Sequence, residues 1–190
     1  MPGPRNCSGI ALLCLVGKEE LNLRYELLSR ETARDALVAY DLQEPFHNAV
    51  AVDTVSLGAA VALLNDLEWY LVRFVDHALV YDPSVSEEEW LSPDLARAIR
   101  DDEVPPEETG RFLKVFGIVP AGESGEGDGR EDTSAGEPDQ AGPAPDEGEQ
   151  PPKLVDPMLV TRTGETIPEY DLRDVEETLL VRVTESEFGA

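Results

Sequence analysis

The sequence predicts an α+β fold: one compact mixed α/β domain, followed by an acidic linker and a β-rich C-terminal tail. Three observations in the 190-residue chain favour this fold. Residues 55–83 form its longest apolar stretch, and short apolar runs bounded by turn residues lie on both sides of that stretch. Residues 121–152 contain no aromatic or branched aliphatic side chain, so they separate the tail from the domain.

The central stretch, residues 55–83, is predicted to nucleate the core. At 100° per residue its apolar side chains fall on one face and most charged ones on the other, which indicates a single long helix. Ser56 is the predicted N-cap, and Pro83 ends the helix. The predicted apolar face consists of Leu63, Leu64, Leu67, Tyr70, Leu71, Phe74, Val75 and Ala78.

An alternative interpretation divides this stretch near Asn65. Residues 57–64 then form a helix and residues 69–75 form a strand, because WYLVRFV is rich in β-branched and aromatic residues. Both interpretations bury the stretch, and the choice between a long helix and a helix–strand unit stays open.

The elements before the central stretch follow from local patterns. Residues 10–16 are a continuous apolar run between glycines, which predicts a buried strand. Alternating leucines and a tyrosine predict a second strand at 21–28. A capping box that begins at Thr32 predicts a helix over residues 33–40, and residues 49–55 form another strand.

After the central stretch, two helices and a strand are predicted. Ser84 or Ser86 caps a first helix, whose first turn holds the acidic residues 87–89. Ser92 caps a second helix, and residues 111–119 form the last strand of the main domain. The second helix is predicted to bury Leu95, Ala98 and Ile99.

The composition divides the chain into four regions. Residues 1–9 are a disordered N-terminus, 10–119 the main α+β domain, 120–153 a disordered acidic linker rich in Gly, Pro and Glu, and 154–190 a β-rich segment. About 35 residues are too few for a core of their own, so we expect this segment to dock on the main domain by adding strands to a sheet edge. Its strand candidates are residues 158–161 and 178–183.

Acidic residues dominate the whole chain. The net charge is −25, from 40 acidic and 15 basic residues, and only three lysines occur. Such a surface is typical of a high-salt cytoplasm, where salt screens the repulsion between carboxylates; an ordinary acidic protein is the alternative. The charge also disfavours binding to a nucleic-acid backbone. We expect a soluble cytoplasmic protein without a membrane span, since charged residues interrupt the longest apolar stretch.

No residue pattern identifies a catalytic, cofactor-binding or metal-binding residue, and no cofactor is predicted. Gly17-Lys18 follows the first strand but lacks the first glycine of a phosphate-binding loop, so it indicates a turn. His47 and His77 are the only histidines, and His77 falls on the polar face of the long-helix interpretation. Two cysteines and two scattered histidines do not make a zinc site.

Two functions remain as hypotheses. The first is a non-enzymatic adaptor or regulatory binding protein with an unknown protein partner, because catalytic motifs are absent from the sequence. The second is a small metal-dependent hydrolase or nuclease that uses carboxylates at strand ends. The candidate carboxylates are Asp41, Asp53 and Asp82. Trp69, Tyr70, Trp90 and Phe112 could form a binding groove. The default interpretation is that these aromatics pack in the core.

Three blocks of sequence carry a family resemblance: NLRYELLSRETARDAL, VSLGAAVALLNDLEWYLVRFVDHALVYDPSVSEEEWL and EETGRFLKVFG. They resemble a small domain family of haloarchaea whose function is unknown. The resemblance covers residues 10–119. It implies the domain boundary near 119 and a high-salt environment, and it assigns no catalytic or binding residue.

Overall fold

A computed structural model describes residues 10–121, 150–164 and 177–189 of the chain. The predicted N-terminal extension and nearly all of the predicted linker lie outside the described residues. The strands are β1 (Ala11–Gly17), β2 (Ala49–Thr54), β3 (Val75–Tyr81), β4 (Trp90–Leu91), β5 (Phe112–Val119), β6 (Lys153–Thr161) and β7 (Glu177–Arg182). The helices are α1 (Leu23–Leu28), α2 (Glu31–Leu37), α3 (Leu57–Asp66), α4 (Glu68–Phe74), α5 (Pro93–Arg100) and α6 (Glu185–Phe188).

The strands form one seven-stranded mixed sheet in the order β2-β1-β3-β4-β7-β5-β6. All neighbours are antiparallel except β4 and β7, which are parallel. The predicted α+β fold is therefore confirmed.

The C-terminal strand β7 lies inside the sheet. Val181 is opposite Trp90 on one side and Lys114 on the other, so β7 joins β4 to β5. Of the two C-terminal strands, only β6 lies at the edge of the sheet, so the expectation of edge addition is wrong for β7. The reason is that β5 does not pair with β4 in the part of the chain that the structure describes. One strand position is therefore open between β4 and β5, and β7 fills it.

The two faces of the sheet bury different apolar sets. On β1, Leu13 and Leu15 face α1–α5, whereas Cys14 and Val16 face the opposite side. The cluster on that opposite side takes side chains from all seven strands, which requires the sheet to curl toward itself. The backbone N–H of His47 donates to the carbonyl of Pro152 across 2.8 Å, which ties the loop before β2 to the segment entering β6. The two edge strands are thus brought near each other.

The central stretch contains two helices and a strand, and neither sequence interpretation is fully correct. The helix capped by Ser56 ends at Asp66, close to the division that the alternative predicts, and Ser56 accepts a hydrogen bond from the N–H of Ala59 as expected. The predicted strand at 69–75 is wrong, because α4 occupies those positions and β3 begins only at Val75. Strand β3 pairs with β1 over its length, whereas the residues before Val75 have no strand to pair with in this ladder. Their strand propensity alone does not make them a strand.

The segment predicted as a strand at 21–28 is instead α1. Asn22 accepts a hydrogen bond from the N–H of Tyr25 and caps the helix. Leu23 and Leu27, one helical turn apart, are both completely buried. Tyr25, which completed the alternating pattern in the sequence, is 68% exposed on the other side of the helix, so the pattern combined buried and exposed positions.

Two of the predicted caps also fail. Helix α2 begins after Arg30, without a side-chain cap, so the capping box at Thr32 is absent. Ser86 accepts from the N–H of Glu89 in a turn that leads into β4, not into a helix. In contrast, Ser92 caps α5 by accepting from the N–H of Leu95, as predicted. Helix α5 buries Leu95, Ala96 and Ile99, with Ala98 half-buried.

Removing residues 121–190 should destabilise the domain strongly, since β5 then loses both of its ladders. We expect a lower urea midpoint and a red shift of Trp90 fluorescence, because Trp90 is buried beside Val181. The measurement uses a Trp69→Phe background, so that Trp90 is the only tryptophan. Adding residues 150–190 as a separate peptide should restore the blue-shifted emission. An unchanged midpoint in the truncated chain would contradict this role of β7.

Candidate functional site

A cavity of about 220 Å³ opens where β4 stops. Strand β4 has two residues, and its ladder with β3 is confined to Val80 and Leu91. The preceding part of β3 therefore faces β5 and β7 across a gap. The cavity is lined by Asp76, His77, Ala78, Leu79, Ser92, Pro93, Lys114, Phe116, Val181, Val183 and Glu187.

His77 spans part of this gap. Its ring contacts the ring of Phe116 edge-to-face, with 4.9 Å between centroids. Burial lowers the pKa of His77 below its usual value, while the nearby Asp76 carboxylate acts in the opposite direction and the Lys114 ammonium adds to the lowering. The prediction of a histidine on the polar face of a helix is wrong, since His77 lies half-buried on β3.

A hydrogen-bond network fixes Glu187 at the cavity. Its Oε2 atom accepts from Ser92 Oγ at 2.6 Å, from the N–H of Thr184 at 2.8 Å and from Thr184 Oγ1 at 3.0 Å. The bond from the N–H of Thr184 and the reciprocal bond from the N–H of Glu187 to Thr184 Oγ1 form the capping box of α6. Ser92 in turn caps α5, so the network holds the ends of two helices at one point beside the cavity.

A buried ion cluster lies at the joint between β4 and β7. Glu89 is 7% exposed and accepts hydrogen bonds from the guanidinium groups of Arg162 and Arg182. Arg182 also donates to Thr109 Oγ1 at 2.9 Å. Burial alone would raise the pKa of Glu89, but the hydrogen bonds and charges of the two arginines outweigh it, so the pKa lies below its usual value.

Glu89→Gln should lower the free energy of unfolding by about 3 kcal/mol, since it leaves two guanidinium groups in the joint without their counter-charge. Urea denaturation at neutral pH measures this change. Glu107→Gln is the matched control, because Glu107 is exposed, and it should leave the midpoint unchanged. Equal midpoints for the two variants would show that the cluster does not stabilise the joint.

The same cluster predicts a pH effect. Because the folded-state pKa of Glu89 is below its usual value of 4.5, its stabilisation is present above that pH. As the pH falls below about 4.5, the unfolded state takes up the proton first and the free energy of unfolding decreases. This decrease in the free energy of unfolding at acidic pH, measured by urea denaturation, should be absent in Glu89→Gln and present in Glu107→Gln.

Helix α4 presents apolar side chains outward. Trp69 is 51% exposed and Val72 is 75% exposed, and no residue of α4 is fully buried. The guanidinium of Arg73 lies 4.4 Å from the centre of the Trp69 ring, and that of Arg30 lies 5.1 Å from the ring of Phe74.

Lys18 completes this surface from the end of β1, as its ammonium donates to the Val72 carbonyl at 3.1 Å. We call the set Lys18, Arg30, Trp69, Val72 and Arg73 the α4 surface. Glu26, which pairs with Arg30 at 3.3 Å, lies at its border.

Gly17 is the last residue of β1, and a turn over residues 18–21 follows it, as predicted. A Cβ atom on Gly17 would lie 2.7 Å from Leu23 Cβ and 2.8 Å from Asn48 Nδ2, so the glycine is required by close packing against α1. The side chain of Asn48 in turn bonds the N–H of Leu23 and the carbonyl of Lys18.

The strand-end carboxylates do not converge. Asp53 lies on β2 and Asp82 directly follows β3, and these two strands lie on opposite sides of β1, two strand spacings or roughly 10 Å apart. Asp53 accepts from Gln43, Asp82 accepts from Ser84, and Asp41 is exposed in a loop. Within residues 10–121, 150–164 and 177–189, no three His, Cys, Asp or Glu side chains are close enough to hold a metal ion.

The remaining candidates are dispersed. Trp90 is buried in the apolar cluster on the face of the sheet opposite α1–α5, which we call the inner cluster, and Phe112 packs against that cluster. Trp69 and Tyr70 lie on α4, so the four aromatics form no common groove.

His47 is exposed beside a second, open cleft. Cys14 is fully buried, and burial raises the pKa of its thiol to about 12. Among the described helices, none has the length and apolarity needed to cross a membrane.

A family model described as a family of unknown function (DUF5804) matches residues 11–118, more than half of the chain. The match runs from β1 nearly to the end of β5 and leaves out β6 and β7. No curated protein and no solved structure matches the chain.

Proposed function

The chain belongs to this family of unknown function, and we propose that it is a non-enzymatic binding protein, an adaptor or regulatory protein that recognises a partner protein through the α4 surface. The observation that carries the proposal is the exposure of Trp69 and Val72 beside three cations. Tryptophan and arginine are enriched where proteins bind one another. Basic residues are scarce in this chain, so three of them on the α4 surface, with the Arg73 guanidinium over the exposed tryptophan, are a distinctive local arrangement.

The partner that fits this surface is a short protein segment with an apolar side chain flanked by carboxylates. The apolar side chain would cover Trp69 and Val72, and the carboxylates would meet Lys18, Arg30 and Arg73. A net charge of −25 repels anionic membranes and nucleic acids, which present extended negative surfaces. A short segment interacts mainly with the charges it touches, because salt screens the others beyond about 3 Å at 1 M ionic strength.

A photo-crosslinking amino acid at position 72 tests the proposal in cells of the source organism. Val72→p-benzoylphenylalanine should crosslink to a discrete protein, and the crosslink should be lost when Arg73→Glu and Trp69→Ser are added. Val38→p-benzoylphenylalanine is the matched control, since Val38 is equally exposed, at 79%, on another helix.

The crosslinked peptide of the partner should carry acidic residues around an apolar one. Crosslinks that are identical from positions 38 and 72 would contradict the α4 surface as the binding site. Crosslinking of position 72 to lipid or to nucleic acid would contradict a protein partner.

We also propose that the protein works in a high-salt cytoplasm. The support is the net charge of −25 together with only three lysines. The melting temperature followed by circular dichroism should rise by many degrees between low-salt buffer and molar KCl, because salt screens carboxylate repulsion that is strongest in the folded state. Equal melting temperatures across that range would refute this environment.

A further inference from the structure

We propose that the cavity beside β4 binds a small zwitterion: an amino acid with a compact aliphatic side chain. The cavity and the α4 surface share no residue, so this site is independent of the partner-binding proposal. The size of the cavity and the mixture of charges in its lining support this ligand.

The inner part of the cavity is apolar. Leu79 and Phe116 come from β3 and β5, and Val181 comes from β7. The volume of about 220 Å³ is below the roughly 300–1,000 Å³ of pockets for drug-sized ligands, so the occupant must be smaller than those ligands. A branched aliphatic group with few carbons matches both the lining and the size.

The outer part of the cavity carries both signs of charge. Glu187 and Asp76 are carboxylates, and Lys114 supplies an ammonium. All the hydrogen bonds that the Glu187 carboxylate accepts within the described ranges go to Oε2, which leaves Oε1 for a ligand. Within those same ranges Lys114 forms no ion pair, although carboxylates outnumber cations in this protein.

This mixture provides a partner for each end of a ligand that carries both charges. A simple carboxylate would pair with Lys114 but would face Glu187 and Asp76 without compensation. A simple amine would pair with the Glu187 carboxylate but would supply no carboxylate to the Lys114 ammonium. An amino acid places its ammonium on Glu187 and its carboxylate on Lys114, with its side chain against Leu79 and Phe116.

Titration calorimetry with the full chain and L-leucine tests the proposal. Two analogues serve as controls: 4-methylpentanoate lacks the ammonium, and 3-methylbutylamine lacks the carboxylate. We expect measurable binding of L-leucine and at least roughly tenfold weaker binding of each analogue, since each loses one charge-assisted hydrogen bond. Amide signals in ¹⁵N spectra should shift on β3, β5 and β7 around the cavity.

A pair of lysine variants separates this site from a general charge effect. Lys114→Gln should weaken L-leucine binding at least roughly tenfold, with the fold verified by circular dichroism. Lys153→Gln should bind as the parent does, because Lys153 pairs with Glu19 and does not line the cavity.

Several outcomes would overturn the proposal. The first is the absence of any calorimetric or spectroscopic response at millimolar L-leucine. The second is equal affinity for L-leucine and its two analogues, and the third is amide shifts confined to other regions. Unchanged L-leucine affinity in a folded Lys114→Gln variant would also overturn it. The analogue series uses the unaltered chain, so it decides the matter even if a variant fails to fold.

Discussion

The continuity of the sheet depends on β7. This strand is parallel to β4 on one side and antiparallel to β5 on the other, and no ladder joins β4 to β5 in the part of the chain that the structure describes. The family match ends at residue 118, so it contains both neighbours of β7 but not β7 itself. The C-terminal segment supplies an inner strand of this sheet, and its Val181 and Val183 are buried in the same cluster as Trp90.

The buried ion cluster explains how the joint is specified. Apolar strands of similar length can pair in several registers, whereas a desolvated carboxylate must meet its cations at one position. Glu89 is bound by one arginine that follows β6 and by another at the end of β7. Gly110 makes room for them: its φ is +93°, and a Cβ there would lie 3.2 Å from the guanidinium groups of Arg162 and Arg182. The glycine serves the charge cluster and the turn together.

The two candidate binding features lie next to each other along the chain, at β3 and at the helix before it. Since β4 is only two residues long, the sheet has a gap there, and polar side chains from β3, β5 and α6 collect around it. Helix α4 ends where β3 begins, and four of its seven residues are exposed. The cavity suits a small ligand and the exposed helix suits a macromolecular partner, so the proposed functions of the two features are compatible in one binding protein.

The sequence by itself determined the features that depend on near neighbours. The strand at 10–16, the caps at Ser56 and Ser92 and the strand candidates of the tail follow from local hydrogen bonds and from apolar runs. Sequence patterns missed the buried ion cluster, since Glu89 is one of three consecutive glutamates and nothing local distinguishes it from the other two. The tertiary structure alone decided that Val75 begins a strand, that β7 enters the sheet and that Glu89 is buried. The physical reason is distance along the chain: Glu89 and Arg182 are 93 residues apart, and their pairing exists only once the curled sheet brings them together.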